Sequence, residues 1–374
     1  MKKILLVFGT RPEAIKLAPL VLALKSSKNF CVKVCVTAQH RQMLDQVLSF
    51  FKIVPDCDLD LMRSNQTLNT LTAEILTKIK PVFDDFLPDC VLVHGDTTTS
   101  MAVALAGFYS NIKIGHVEAG LRTYNKHAPF PEEINRQITG RIADYHFAPT
   151  EQARQNLLKE QVAADTIVVT GNTVIDALMY SVEQLQVCDH DDIKALKRNI
   201  NLKKEIILVT SHRRENFGDG FINICNALKA IASKFSNMQI LYPVHLNPNV
   251  QKPVYEILGD VSNILLIEPL SYPAFVWAMN NSKLILTDSG GVQEEAPSLG
   301  KPVLVLRNTT ERPEAVEAGT VILVGTDTDL IVSETVRLLQ NDNYYKEMSL
   351  RHNPYGDGKA CQRIINFLAS ISKC

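Results

Sequence analysis

Ten short apolar, largely β-branched runs recur along the chain, at 4–8, 32–37, 91–93, 112–117, 167–169, 206–210, 240–244, 264–267, 284–287 and 302–306. Each is too short for a helix and lacks the alternation of a strand with one wet face, so each reads as a strand buried on both sides. Amphipathic stretches long enough for helices lie between most of them, for example 14–25, 41–51, 98–109, 220–235 and 290–299. This alternation dictates the α/β class, with parallel sheet covered by helices. Ten strands in 374 residues exceed one doubly wound sheet, and the pattern weakens across 171–204. The expected organisation is therefore a Rossmann-like domain over 1–170 and a second over 171–357. A last helix in 358–374, after the turn-rich Asn353-Pro354-Tyr355-Gly356-Asp357-Gly358, is expected to pack back on the first domain. Two such domains facing each other would place their ligand loops, at the strand C-terminal ends, around a cleft.

Charge and hydropathy remove several function classes. Lys and Arg total 39 against 40 Asp and Glu, so no basic excess exists to hold a nucleic-acid backbone. No apolar stretch approaches the roughly 20 residues of a spanning helix, which argues against a membrane protein. The five-residue run after Met1-Lys2-Lys3 is shorter than an export signal, and a cytoplasmic location is expected. The eight cysteines are scattered, with no CxxC pair, and read as reduced, structural thiols.

Polar motifs sit where these strands end. Gly9-Thr10-Arg11-Pro12-Glu13 follows the first run, with Pro12 suited to a first helical turn and Lys16 about a turn further on. The pattern suits either an anion site or a capped loop with solvated charges; the dinucleotide fingerprint GxGxxG is absent. Asp288-Ser289-Gly290-Gly291 lies between a strand and a helix, with Glu295 one turn on. Its glycines either let backbone N–H groups approach a pyrophosphate or serve tight helix–sheet packing. His94-Gly95-Asp96 and His116-Val117-Glu118 end neighbouring runs and place histidines and carboxylates on matching sides. They suggest carboxylates aimed at substrate; Asp96 as a helix cap and a metal site are the competing readings, and no third cluster has ligand spacing. Pro131-Glu132-Glu133 with Arg136, and Ser211-His212-Arg213-Arg214-Glu215, complete the charged strand and helix ends.

Assembled in order, GTRPEAIKLAPL (9–20), TAQHRQMLDQV (37–47), VHGDTTT (93–99), GHVEAGLRT (115–123), FPEEINR (130–136), HRREN (212–216), YPVHLNPNV (242–250), TDSGGVQEEAPSLGKPVLVLR (287–307), TERPEA (310–315) and HNPYGDG (352–358) resemble the non-hydrolysing UDP-N-acetylglucosamine 2-epimerase family. The resemblance spans nearly the whole chain. It implies two Rossmann-like domains of the glycosyltransferase-B type, a homodimer, and neither nicotinamide nor an essential metal. It also implies conversion of UDP-GlcNAc to UDP-ManNAc, a source of ManNAc-type sugars for cell-surface polysaccharide. By motif, Arg11, Lys16, Arg136, His212, Ser289, Gly290, Gly291, Glu295 and Arg312 would bind nucleotide and phosphates, with Phe275 by the uracil. Asp96, Glu118, Glu132 and His212 would form the catalytic set. Gln39, Gln42 and His245 are similar to a second site at which UDP-GlcNAc activates bacterial members. Ser211 departs from the Gly that often precedes HRRE.

The implied chemistry explains the residue types. The C2 proton of UDP-GlcNAc is not next to a carbonyl, so its removal requires prior loss of UDP from C1, giving an oxocarbenium-like centre and then 2-acetamidoglucal. The leaving pyrophosphate calls for positive potential and the C2 proton for carboxylates on both sugar faces. The sequence does not divide base, acid and oxocarbenium stabiliser among Asp96, Glu118 and Glu132. A UDP-2,3-diacetamido sugar epimerase, a hydrolysing epimerase, a transferase of the same fold and a non-catalytic nucleotide-sugar sensor are the alternatives.

Overall fold

The computed structural model describes every residue except Gln39, His40, Ser64, Asn65, Cys188, Asp189 and 372–374, and the side chains of Arg41 and Gln42, and among the described residues thirteen strands form. In the first sheet they are β1 (Lys2–Phe8), β2 (Phe30–Val36), β3 (Cys57–Asp58), β4 (Cys90–His94), β5 (Lys113–Val117), β6 (Tyr145–Ala148) and β7 (Ile167–Val169). The second sheet holds β8 (Ile206–Thr210), β9 (Gln239–Pro243), β10 (Ile264–Ile267), β11 (Ser282–Thr287), β12 (Val303–Val305) and β13 (Val321–Leu323). All pairings are parallel. The orders are β3-β2-β1-β4-β5-β6-β7 and β10-β9-β8-β11-β12-β13. In each, the winding direction reverses beside the first strand, between β1 and β4 and between β8 and β11, and α/β sheets bind ligands beyond the strand ends at such a reversal.

β3, β6 and β13 are additions to the ten expected strands. The two residues of β3 are too few for a hydrophobic pattern, β6 reads Tyr-His-Phe-Ala, with a polar residue in its middle, and β13, Val-Ile-Leu, is an apolar run of the same length as 167–169. The expected helix 290–299 is α-helical only over Gly290–Glu295 and tightens to a 3-10 turn over Ala296–Leu299, where Pro297 supplies no N–H for the α pattern.

Two compact units result, Met1–Met179 with Tyr355–Cys374, and Tyr180–Pro354. The first unit thus includes the start of the helix Thr173–Val187. The Asp176 carboxylate explains why: it accepts the backbone N–H groups of Ala360 and Cys361 at 3.1 and 2.9 Å, fastening that first turn to the returning helix Ala360–Ser370. Gly171 and Gly356, both at positive φ, pass each other so closely that a Cβ on either would lie 3.3 Å from the other's Cα. The core of the first unit is built on Leu5, Val7, Val91 and Val93 against Ile75, Ile79, Phe83 and Val103. That of the second sets Ile207, Val209, Tyr242 and Leu286 against Phe221, Ile224, Leu228 and Ile231. Each such side chain contributes about 1.5–3 kcal/mol on burial. Among the described residues no helix is long and apolar enough to cross a membrane.

Candidate functional site

At the β1/β4 reversal, one buried carboxylate organises both loops. Thr10 caps the helix Arg11–Ser26 in a capping box with Glu13. Glu13 Oε2 accepts the N–H groups of Gly9 and Thr10 at 3.0 and 2.8 Å. Its Oε1 accepts the hydroxyls of Thr97 and Ser100, at 2.7 and 3.2 Å, from beyond β4. Burial raises the Glu13 pKa, against the pull of these hydrogen bonds. Arg11 is the first residue of the capped helix and half-buried.

Thr97, not Asp96, caps the helix Thr98–Tyr109, so the Asp96 side chain is released from that structural duty. It pairs instead with Arg136 Nη2, and Asn135 Nδ2 donates to its backbone oxygen at 3.0 Å. Glu118, just beyond β5 with φ +62°, pairs with Lys16. It also accepts a 2.8 Å hydrogen bond from Asn172 Nδ2, and His94 Nε2 lies 3.7 Å from the same oxygen. Burial pushes the His94 pKa down to about 4 against the charge of Glu118, which leaves the ring neutral at pH 7. Both candidate carboxylates therefore lie against the cations that the sequence motifs assigned to phosphate, an arrangement that pairs otherwise costly buried charge.

The two histidines do not form a pair. β4 and β5 align Val93 with His116 and His94 with Val117, so the rings point to opposite faces. His116 instead lies level with His146. Its Nε2 is 2.7 Å from Gly95 O, and burial lowers its pKa to about 3. Among the described residues no group of three His, Cys, Asp or Glu side chains is placed to hold a metal ion.

Glu132 and Glu133 open the helix Glu132–Ile142, and the structure separates them. Glu133 is fully buried and accepts the N–H groups of Thr123 and Tyr124 at 3.0 Å each and the Gln137 amide at 2.8 Å. Arg136 approaches it at 3.2 Å. Burial acts to raise the Glu133 pKa, but these donors and Arg136 lower it. Glu132 is half-buried.

The second unit has a parallel construction at the β8/β11 reversal. Asp288, fully buried, accepts the Ser211 hydroxyl and the N–H groups of His212 and Arg213 on Oδ2, each at 2.8 Å. The Ser211 that departs from the family pattern thus ties its loop to the β11 end. His212 stacks on His245, with centroids 5.4 Å apart and planes 18° apart. Burial lowers the His212 pKa, opposed by Asp288 and assisted by Arg213 and His245. Arg312 pairs with Glu294. Phe275, in the helix Tyr272–Asn280, is half-buried, and Glu295 is 8% exposed.

The glycines of Ser289-Gly290-Gly291 answer the question their sequence left open. A Cβ at Gly290 would meet nothing nearer than Arg312 at 3.8 Å, and one at Gly291 nothing nearer than 3.9 Å. Neither has positive φ, so internal packing does not demand glycine there. Gly9 is the contrast, since its Cβ would come within 1.9 Å of Thr37 Oγ1. Reasoning from sequence missed Glu13, Asn172 and Asp288 as organisers of the site. The capping box signalled Glu13; Asn172 and Asp288 meet their partners only through the fold. Gln39 lies outside the described residues, as does the Gln42 side chain.

Two parallel doubly wound sheets, each with charged loops at its switch point, define an α/β protein of the glycosyltransferase-B-like class. The chain matches the family model for UDP-N-acetylglucosamine 2-epimerase over residues 22–369 and belongs to that family. It is 60% identical to the UDP-N-acetylglucosamine 2-epimerase of Escherichia coli K12 and 59% identical to that of Salmonella typhimurium, in each case over 98% of both chains. It is also similar to the crystal structure of the Neisseria meningitidis UDP-GlcNAc 2-epimerase bound to UDP-GlcNAc, with a TM-score of 0.88 at 52% identity, covering 99% of this chain and 100% of that one.

Proposed function

We propose that the protein epimerises UDP-GlcNAc at C2 to UDP-ManNAc, reversibly, by eliminating UDP and adding it back to 2-acetamidoglucal. The observation that carries the activity is 60% identity to an enzyme of that name along 98% of both chains. The glycines at Gly290 and Gly291, which internal packing does not require, support a pyrophosphate approaching the Ser289–Gly291 backbone. Arg11, Lys16, Arg136 and Arg312 supply positive potential to the leaving group, and His212 meets it as a member of the catalytic set. Glu295 is read as the ribose ligand and Phe275 as the neighbour of the uracil. Lys16 and Arg136 each bridge a carboxylate and a phosphate in this reading, so departure of UDP changes the field felt by Glu118 and Asp96. Asp96, Glu118 and Glu132 between them supply the base, the opposite-face acid and the oxocarbenium stabiliser, with the roles not divided among the three. The chemistry calls for no added cofactor.

The same reading makes the protein a cytoplasmic homodimer, supplying ManNAc-type sugars for polysaccharide and activated by UDP-GlcNAc at Gln39, Gln42 and His245. The buried free thiols Cys35, Cys90, Cys225 and Cys361 suit a reducing compartment. Exposed Phe108 and Tyr109, with Ile134 and Ile138 a turn apart on the packed neighbouring helix, offer apolar surface for a second copy; sedimentation as a monomer would exclude it. Incubation with UDP-GlcNAc alone, followed by NMR, tests the activity. UDP-ManNAc is expected, whereas free ManNAc would mean hydrolysis and an unchanged substrate would refute the reading.

A further inference from the structure

His212 and Asp288 form a pair whose geometry reaches beyond holding a loop. Among the described residues, the hydrogen bonds to the Asp288 carboxylate fall on Oδ2: from Ser211, His212 N–H and Arg213 N–H at 2.8 Å and from Asn216 Nδ2 at 3.4 Å. Oδ1 is as deeply buried and has no hydrogen-bond partner, yet it lies 3.3 Å from His212 Nδ1. A buried carboxylate oxygen without a donor is costly, and that Nδ1 is a nitrogen close enough to supply one. A neutral imidazole carries one proton, so placing it on Nδ1 leaves the lone pair on Nε2. His245, stacked on the ring, accepts the Asn247 N–H on its own Nδ1 at 3.1 Å.

We propose that Asp288 is a positioning residue that holds His212 in its Nδ1–H tautomer, leaving Nε2 as the nitrogen that meets the substrate. The assignment deepens the functional reading above and rests on it for the role of His212. Oδ2 fixes the backbone from which His212 springs, and Oδ1 fixes the ring. One side chain thereby sets both the place and the protonation pattern of the histidine. Arg213 and Asp288 are the charged groups around the ring, and His245 the titratable one.

The test uses the full-length protein with histidine ring nitrogens labelled by 15N, the His212 signal being assigned by its loss in His212→Asn. At pH 7.5 the two-bond 1H–15N pattern should show the Nδ1–H form. In Asp288→Asn, whose amide can donate to Nδ1, the ring should change to Nε2–H. Ser211→Ala, which removes one donor to Oδ2, should leave the tautomer alone. An Nε2–H pattern in the unmodified protein overturns the proposal even where Asp288→Asn fails to fold, and so does an unaltered pattern in a folded Asp288→Asn. For turnover, Asp288→Asn should lower kcat about 10²-fold with little change in KM. Full activity in His212→Asn would instead refute the catalytic reading of His212, while the spectra would still decide the tautomer.

Discussion

Asn172 Nδ2 donates a 2.8 Å hydrogen bond to Glu118 Oε2, while its own backbone N–H is held by Tyr355 O at 2.7 Å. A candidate catalytic carboxylate is thus oriented by a buried amide that is itself fixed to the returning C-terminal chain. Hydrogen bonds to charged groups are worth about 1.5–3 kcal/mol. Asn172→Ala should therefore lower kcat by about 10-fold or more, and Glu118→Gln by about 10²-fold or more, with the fold retained by circular dichroism. Wild-type turnover in Glu118→Gln would remove that residue from the mechanism.

Glu132 and Glu133 should separate in the laboratory as they do in space. Glu132→Gln is expected to cost about 10²-fold in kcat and little stability, as Asp96→Asn should. Glu133→Ala strands the buried Thr123 and Tyr124 N–H groups and should cost about 2 kcal/mol or more in urea denaturation. The reverse pattern, a stable but inactive Glu133 variant, would assign the chemistry to the wrong carboxylate of the two.

The parallel α/β class and the loops at the strand ends were legible in the sequence because buried strands write continuous apolar runs. β3 was not, because its two residues carry no pattern; β13, Val-Ile-Leu, carries the same short apolar signal as β7. Residue types at the site were readable, but not their partners. A helix cap competed with the substrate-directed reading of Asp96 until Thr97 took that role, and His94 and His116 looked matched until a register offset of one residue put them on opposite faces. Asp288 and Asn172 meet Ser211 and Glu118 across 77 and 54 residues of sequence, a separation that no local pattern encodes.

Epimerisation in deuterated water tests the bond that breaks. Elimination followed by protonation from the opposite face requires solvent hydrogen at C2, so the UDP-ManNAc formed should carry deuterium there. Epimer recovered without deuterium would require a route that leaves the C2–H bond intact.

Stability should fall on acidification through the buried histidines. The folded-state pKa values of His94 and His116 lie near 4 and 3, below the ordinary 6.5. Their contribution is complete above about pH 6.5 and is lost as pH falls toward the folded values. Glu13, whose pKa is raised, works in the opposite sense. A single-residue comparison isolates the histidine term: unfolding free energy should drop between pH 7.5 and 5.5 by about 1.4 kcal/mol less in His116→Gln than in the parent. Parallel pH profiles for the two proteins would show that folding leaves the His116 pKa at its unfolded value.

His245 joins the proposed regulatory site to the candidate catalytic one, since its ring stacks on His212 at 5.4 Å. An activator that contacts His245 in the competent state and not in the idle one must shift the balance between them, and a coupling of about 1–3 kcal/mol is typical. The forward reaction should accordingly be sigmoidal in UDP-GlcNAc, and UDP-ManNAc alone should react slowly until a trace of UDP-GlcNAc is added. His245→Ala should weaken that activation more than UDP binding, and Gln42→Ala should do the same. Only the histidine variant should also alter the pH profile. His245 helps to lower the His212 pKa, against the opposing charge of Asp288, so its removal should move the His212-dependent limb of kcat/KM to higher pH. Hyperbolic kinetics without a lag in the parent would refute the regulatory role. An unmoved pH limb in His245→Ala would show that the stacked pair is electrostatically silent.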